Sequence, residues 1–276
     1  MRSLRWIAVL AAALVPGFAQ ADVPSLNNIT GADYEKIVKE LSANFAYSSL
    51  TPASSLGGLW GFELGVVGGV TKTPEILALV RRTSASYKED KFPHAAALLR
   101  VGAPLGLTGE LMILPSITVS DLKLSQYSGA AMWTITDVFF EDLPVTLAVK
   151  GYYSKTKLEY TQCLNNSSTG NQNVDAKITF DDTMLGGQFL VSRKFLVFEP
   201  YVGVGFVKAD GDLAVTAATA PGATIFLSGG NSASANPSSA QLLAGLDIRL
   251  LFISLGAEYS RSFGTSSMAG RFSFRF

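Results

Sequence analysis

Along most of this chain, apolar side chains recur at every second position and polar ones fill the gaps. A strand has a side-chain period of two, so such a segment turns its apolar set to one face and its polar set to the other. Ten segments follow the pattern, at about 59–71, 94–103, 107–119, 123–136, 143–158, 177–193, 196–208, 239–249, 252–263 and a last one ending at Phe276. In the first, Trp60, Phe62, Leu64, Val66 and Val70 oppose Glu63. In the second, Leu99 and Val101 oppose Arg100. In the seventh, Phe198, Val202, Val204 and Phe206 oppose Glu199, Gly203 and Gly205. In the last, Phe272, Phe274 and Phe276 oppose Arg271, Ser273 and Arg275. One earlier stretch changes period: Tyr34, Ile37, Val38, Leu41 and Phe45 recur at helical spacing, with Glu35 and Lys39 on the polar side. Thr30 and Asp33 before it echo a capping box. Leu50–Gly58, rich in Ser, Gly and Pro, reads as a linker.

Composition narrows the class. Charged residues are 16% of the chain and glycine is abundant at 26 residues. Without Arg2 and Arg5 the balance of 22 bases against 22 acids becomes 20 against 22, which leaves no basic excess for nucleic acid. The mature part has no clean apolar run long enough for a helical span, because Asp247 and Arg249 interrupt the nearest candidate, Leu242–Ala257. The chain is too apolar for an ordinary soluble β-protein and too interrupted for helical spans. Lipid-facing strands need only alternate residues to be apolar, and they have this profile. The single Cys163 cannot form an internal disulfide.

The N-terminus reads as an export signal. Arg2 and Arg5 form a positive region, Trp6–Val15 an apolar core, and Ala19-Gln20-Ala21 a small-residue cleavage site, so Asp22 begins the expected mature chain. Connection lengths then alternate. With the mature start in the periplasm, connections after even strands should be short turns and those after odd strands free to be long. The even connections, Pro104–Gly106, Asp137–Asp142, Lys194–Phe195 and Leu250–Leu251, are brief. The odd ones include the long Lys72–Pro93, Glu159–Ala176 and Ala209–Ser238, and Pro74–Val80 within the first suggests helical turns.

The closing segment resembles the bacterial outer-membrane β-barrels, porin-like or otherwise small, whose final strand ends on a C-terminal Phe with aromatics at alternate positions before it. The resemblance extends over Leu59–Phe276 as an architecture. It implies an all-β, closed antiparallel transmembrane barrel of about ten strands, within a range of eight to twelve. The expected organisation is a signal peptide over 1–21, a periplasmic amphipathic helix and linker over 22–58, and an outer-membrane barrel over 59–276; the helix plugs or caps the barrel, or packs on its rim or on the membrane surface. The resemblance also implies the bacterial outer membrane as location, its lipid as surroundings, and the barrel-assembly machinery as partner, with Phe272, Phe274 and Phe276 as the assembly signal.

The candidate site is the inward-facing charge. Glu63, Arg100, Glu110, Lys150, Asp247, Arg249, Glu258, Arg271 and Arg275 are predicted to line the lumen, four acids and five bases. A narrow lumen cannot hold nine bare charges, so they pair or are hydrated. Two functions follow from these two states. A wet charged constriction suits porin-like passive transport or binding of small solutes, which is the expected function. A salt-bridged interior suits a structural or surface-interaction barrel with a closed lumen. An outer-membrane hydrolase is a third reading, and the only histidine, His94, would have to pair with an acid such as Asp210 or Asp212 in the outer loops. The adjacent Asp181 and Asp182 could face a cation at the outer rim. No P-loop, nucleophile elbow or metal-spaced Cys and His set occurs, so neither enzyme activity nor a cofactor is expected, and the sequence assigns no oligomeric state.

Overall fold

The computed structural model describes residues 31–57, 61–82, 88, 90–119, 122–140, 142–166, 172–217 and 232–276. The signal-peptide reading and residues 22–30 lie outside them.

Among the described residues, eleven strands and three helices follow in chain order. They are α1 (Gly31–Phe45), β1 (Phe62–Lys72), α2 (Pro74–Arg81), β2 (Lys91–Gly102), β3 (Leu107–Val119), β4 (Leu122–Thr134), α3 (Thr136–Phe139), β5 (Thr146–Asn166), β6 (Gln172–Ser192), β7 (Phe198–Ala217), β8 (Ser232–Ala235), β9 (Ser238–Leu250), β10 (Ile253–Ser262) and β11 (Thr265–Arg275). All pairings are antiparallel. The order runs β6-β5-β4-β3-β2-β1-β11-β10-β9-β7, and β6 pairs with β7, so ten strands close into a cylinder. The short β8 lies on the upper part of β7, beyond the reach of β9. At the seam the Phe62 N–H donates to the Phe276 carbonyl at 3.0 Å and the Phe276 N–H to the Phe62 carbonyl at 2.9 Å. Closure leaves no edge, which is what backbone surrounded by lipid requires.

The outer face carries the apolar residues. On β5, Leu147, Val149 and Tyr153 point outward, and above them Lys155, Lys157 and Glu159 take the same face. On β7, Phe198, Val202, Val204 and Phe206 form the band below an outward Lys208. The apolar stretch spans about nine residues, the length a tilted strand needs to cross hydrocarbon. Here the pattern misleads at one point. Glu159–Ala176 reads as a loop, yet β5 and β6 continue through it to the pair Asn166↔Gln172. Likewise β7 runs on to Ala217. Above the apolar band the two faces exchange character, with Leu158, Phe180 and Leu213 inward and Lys157, Asp181 and Asp212 outward, so the apolar-outward pattern of the lower strand ends while the hydrogen-bond ladder persists.

The interior has two halves. Near the long connections it is apolar. Tyr34, Ile37, Val38, Leu41 and Phe45 of α1 pack there on Val67, Leu98, Met112, Leu124, Phe180, Met184, Val207 and Leu213 of the wall. Of the places open to this helix, plug, periplasmic cap, barrel rim or membrane surface, it takes the first: it stands inside the cylinder, at the end opposite the short connections. An apolar stripe on a lone helix needs an apolar partner, and the upper lumen supplies it. Outside this core, α1 and α2 are tied by Asp33 to Arg82 at 3.0 and 3.1 Å and by Lys36 to Glu75 at 2.8 Å. The Glu40 carboxylate accepts the first backbone N–H groups of α2, from Glu75 and Ile76, at 2.7 and 2.8 Å. Burial pushes the Glu40 carboxyl above its ordinary range, against the pull of those two N–H groups. After Phe45 the chain descends through the lumen as an extended segment toward the short-connection end, where β1 begins.

Two glycines let large rings lie flat inside the wall. A Cβ on Gly186 would meet the Tyr152 ring at 2.2 Å, and one on Gly245 the Tyr201 ring at 2.3 Å. These tyrosines close the gap between the wall and the descending segment. Tyr152 stacks on Tyr47 with centroids 5.2 Å apart.

Candidate functional site

All nine sequence-predicted charges point into the cylinder, and seven of them join one chain of ion pairs. Lys150 Nζ lies 3.0 Å from Glu110 Oε2, and Arg100 Nε donates to Glu110 Oε1 at 2.8 Å. Arg100 Nη1 donates to Glu63 Oε2 at 2.8 Å. Arg271 reaches Glu63 Oε1 at 2.8 Å, an ion contact outside hydrogen-bond alignment, and donates to Asp247 Oδ1 through Nη2. Arg249 Nε donates to Asp247 Oδ2 at 2.7 Å, and its Nη2 lies 2.8 Å from Glu199 Oε2. Base and acid alternate without a break from β5 through β3, β2, β1, β11 and β9 to β7. Hydroxyls fill the remaining acceptor sites: Ser273 donates to Glu63, Ser254 to Asp247 and Ser192 to Glu199. The belt nearly encircles the lumen, and each of its first three acids, Glu110, Glu63 and Asp247, bridges two bases. Low dielectric makes an unpaired charge here very costly, and alternation removes that cost.

The other two predicted charges stand beside the belt. Glu258 accepts from Ser48 at 2.5 Å and from Tyr201 at 2.9 Å. Arg275, near the short-connection rim, donates to the Ser55 carbonyl at 3.1 Å. One belt member was not among the predicted charges. Glu199 shares the inward face of β7 with Gly203 and Gly205, so its period-two position was the available signal.

The second component has no such signal. Residues 46–57 contain no charged side chain, yet they thread the belt along the barrel axis. Tyr47 donates to Glu110 on β3 at 2.6 Å, while the next residue, Ser48, reaches Glu258 on β10, almost across the cylinder. Lys150 on β5 donates to Ser49 at 2.7 Å and Thr51 at 2.9 Å. Thr134 on β4 donates to the Ala53 carbonyl at 2.8 Å. Ser54 donates to Glu199 at 3.1 Å and accepts from Arg249 at 2.6 Å. A central strand of hydroxyls and carbonyls therefore bonds to opposite walls at successive levels. Nothing about a Ser-rich stretch distinguishes such a segment from a solvated linker until the surrounding cylinder exists.

The remaining candidates do not assemble. His94 faces inward from β2, with Nδ1 3.1 Å from Asn44 Oδ1 of α1. Asp210 and Asp212 are exposed on the outer face of β7, so the geometry brings no acid from that strand to the histidine. Asp181 and Asp182 point to opposite faces, as adjacent strand residues must, so they share no cation. Asp181 pairs outside with Lys157, and Asp182 is buried inside. Among the described residues, no group of three His, Cys, Asp or Glu side chains is disposed to hold a metal ion.

The model of a family of unknown function, DUF6588, matches residues 78–274. No curated protein matches. The chain is similar to the translocator domain of autotransporter NalP from Neisseria meningitidis, at 13% identity and TM-score 0.43, covering 89% of this chain and 96% of that one. It is also similar to Ail, the attachment invasion locus protein of Yersinia pestis, at 13% identity and TM-score 0.30, covering 79% and 97%. Neisserial surface protein A is a third, at 8% identity and TM-score 0.28, covering 78% and 95%. At such identities these likenesses concern the fold alone.

Proposed function

The chain belongs to the DUF6588 family, and from its threaded, charge-belted lumen we infer that it serves in the bacterial outer membrane as a closed barrel. Its lumen carries no solute in the resting state, and its function lies in the membrane-embedded wall and the projecting long-connection end. One observation carries this reading: successive residues of the 46–57 segment bond to opposite walls of the ion-pair belt. A porin-like route needs a continuous wet path. Here the axis is taken by polypeptide at the level of the belt and by the apolar face of α1 above it. Insertion by the barrel-assembly machinery through the Phe272–Phe276 strand belongs to the same reading. That strand presents alternate aromatics to lipid, and Phe276 stacks on Phe62 at 4.9 Å.

Planar-bilayer recording of the full chain tests it. The expected outcome is no stepwise current at moderate voltage in either polarity, with the protein recovered from the outer-membrane fraction of cells. Stable conductance steps from homogeneous folded protein would overturn the closed-lumen reading and restore passive transport.

A further inference from the structure

Outside the barrel, the long-connection end carries basic residues that the belt does not use. The strand registers place Arg261 of β10 opposite Ser266 of β11, and Lys72 of β1 opposite Lys91 of β2. β11 and β1 pair Ser267 with Thr71, so Ser266 and Lys72 stand next along the same seam. Arg261, Ser266, Lys72 and Lys91 therefore form one row across four neighbouring strands, about 4.8 Å apart per strand. The three bases are exposed on the outer surface.

Two residues nearer the barrel middle, a second row runs parallel to the first. Tyr259 pairs with Met268, Met268 with Val70, and Val70 with Pro93. Tyr259, Met268 and Val70 are 45, 63 and 39% exposed. Positive charge thus sits on the rim of the apolar band, directly above lipid-facing side chains. Tyr259 and Ser266 join the two rows through a hydroxyl–hydroxyl hydrogen bond of 2.8 Å.

Among the described residues, Arg261, Lys72 and Lys91 take part in no ion pair, and Asp90 pairs with neither lysine. Lys72 and Lys91 are like charges directly opposite, which is unfavourable without an anion to share. The wall of β4, β5 and β6 is different. There Lys123 and Lys177 pair with Glu159, and Lys157 with Asp181. Among the described residues of that wall Lys155 is the one base without an ion pair, whereas three such bases stand side by side in the β10–β2 sector.

We propose that this sector docks a lipid of the outer leaflet through a phosphate-bearing headgroup. The phosphates lie along Arg261, Ser266, Lys72 and Lys91, and the acyl chains lie on Tyr259, Met268, Val70 and Pro93. Charge complementarity and continuity with the apolar band select a lipid: a free phosphate would engage the first row alone. The inference rests on the outer-membrane reading, with the long connections facing outward.

The test uses the full chain, folded in detergent and titrated with diphosphoryl lipid A under native mass spectrometry. The wild type should retain the lipid, and binding should weaken as salt rises. The triple variant Lys72→Gln, Lys91→Gln, Arg261→Gln should bind roughly 100-fold more weakly, the combined loss of three surface bases. Lys157→Gln, on the other wall, should bind as the wild type does. All three substituted residues are exposed, and heat-modifiable migration verifies that the variant is folded. Equal binding by the folded triple variant, or by lipid A stripped of its phosphates, would overturn the proposal. So would competition by inorganic pyrophosphate as effective as that of lipid A. Because binding is measured on purified protein, its failure is distinct from a failure of the closed-lumen reading, which conductance decides.

Discussion

Arg100 sits between Glu63 and Glu110 with 2% of its side chain exposed, so two carboxylates depend on it inside a low-dielectric lumen. Removing one partner of a buried ion pair costs about 3–5 kcal/mol, because the charges left behind have no water. Arg100→Ala should therefore lower folded-state stability by that order, read as a drop in the heat-modifiable transition in detergent. Arg249, whose side chain is 18% exposed near the rim, should cost clearly less when changed to alanine, since solvent screens what it leaves. Equal losses for the two would mean that the belt is hydrated throughout. At this scale much of the site was legible. A period of two places Glu63, Arg100, Glu110 and Lys150 on the face opposite the apolar set. Which acid meets which base was not legible, because partners such as Glu63 and Arg271 are brought together only by the β1–β11 seam.

At the scale of elements, α1 is held by its apolar stripe rather than by its charges. Val38 is fully buried, and its methyl groups lie against Gly211 of β7 and beside Phe180. A carboxylate at that point would face apolar wall with no partner, so Val38→Asp should release the helix from the mouth. Hydrogen exchange reads this directly. Amides of α1 should lose protection by roughly two orders of magnitude, the equivalent of about 3 kcal/mol, while the β-ladder keeps its own. Unchanged protection in α1 would show that the Asp33–Arg82 and Lys36–Glu75 contacts hold the helix instead. The helix itself was legible from Tyr34, Ile37, Val38, Leu41 and Phe45. Its place was not, since an amphipathic stripe states that an apolar partner exists without naming it. The inward Val67, Met112 and Met184 that supply the partner look, in sequence, like ordinary breaks in alternation.

At the scale of the molecule, stability depends on the ring being closed. Val66 pairs with Phe272 on one side and Ala97 on the other, so its backbone belongs to the seam. Proline there removes a ladder donor surrounded by lipid and should prevent formation of the heat-modifiable folded species. Ser234→Pro, in the short β8 outside the ten-strand ring, should leave that species intact. If both variants fold alike, closure is not what holds the barrel.

The alternation of side chains determined, by itself, that this chain forms about ten membrane-crossing strands with charge turned inward. That information is local: a strand faces lipid or lumen according to its own period, and short turns join the strands at one end of the barrel. Only the tertiary structure placed residues 46–57 and the apolar face of α1 inside the lumen. Closure pairs β1 with β11 and β6 with β7, lines up alternating charges from seven strands, and leaves an axial space that a chargeless segment can bridge with hydroxyls. No local pattern encodes that arrangement, because the contacts that shut it, such as Glu63 with Arg271 and Ser48 with Glu258, join residues far apart in the chain whose proximity exists only once the cylinder has formed.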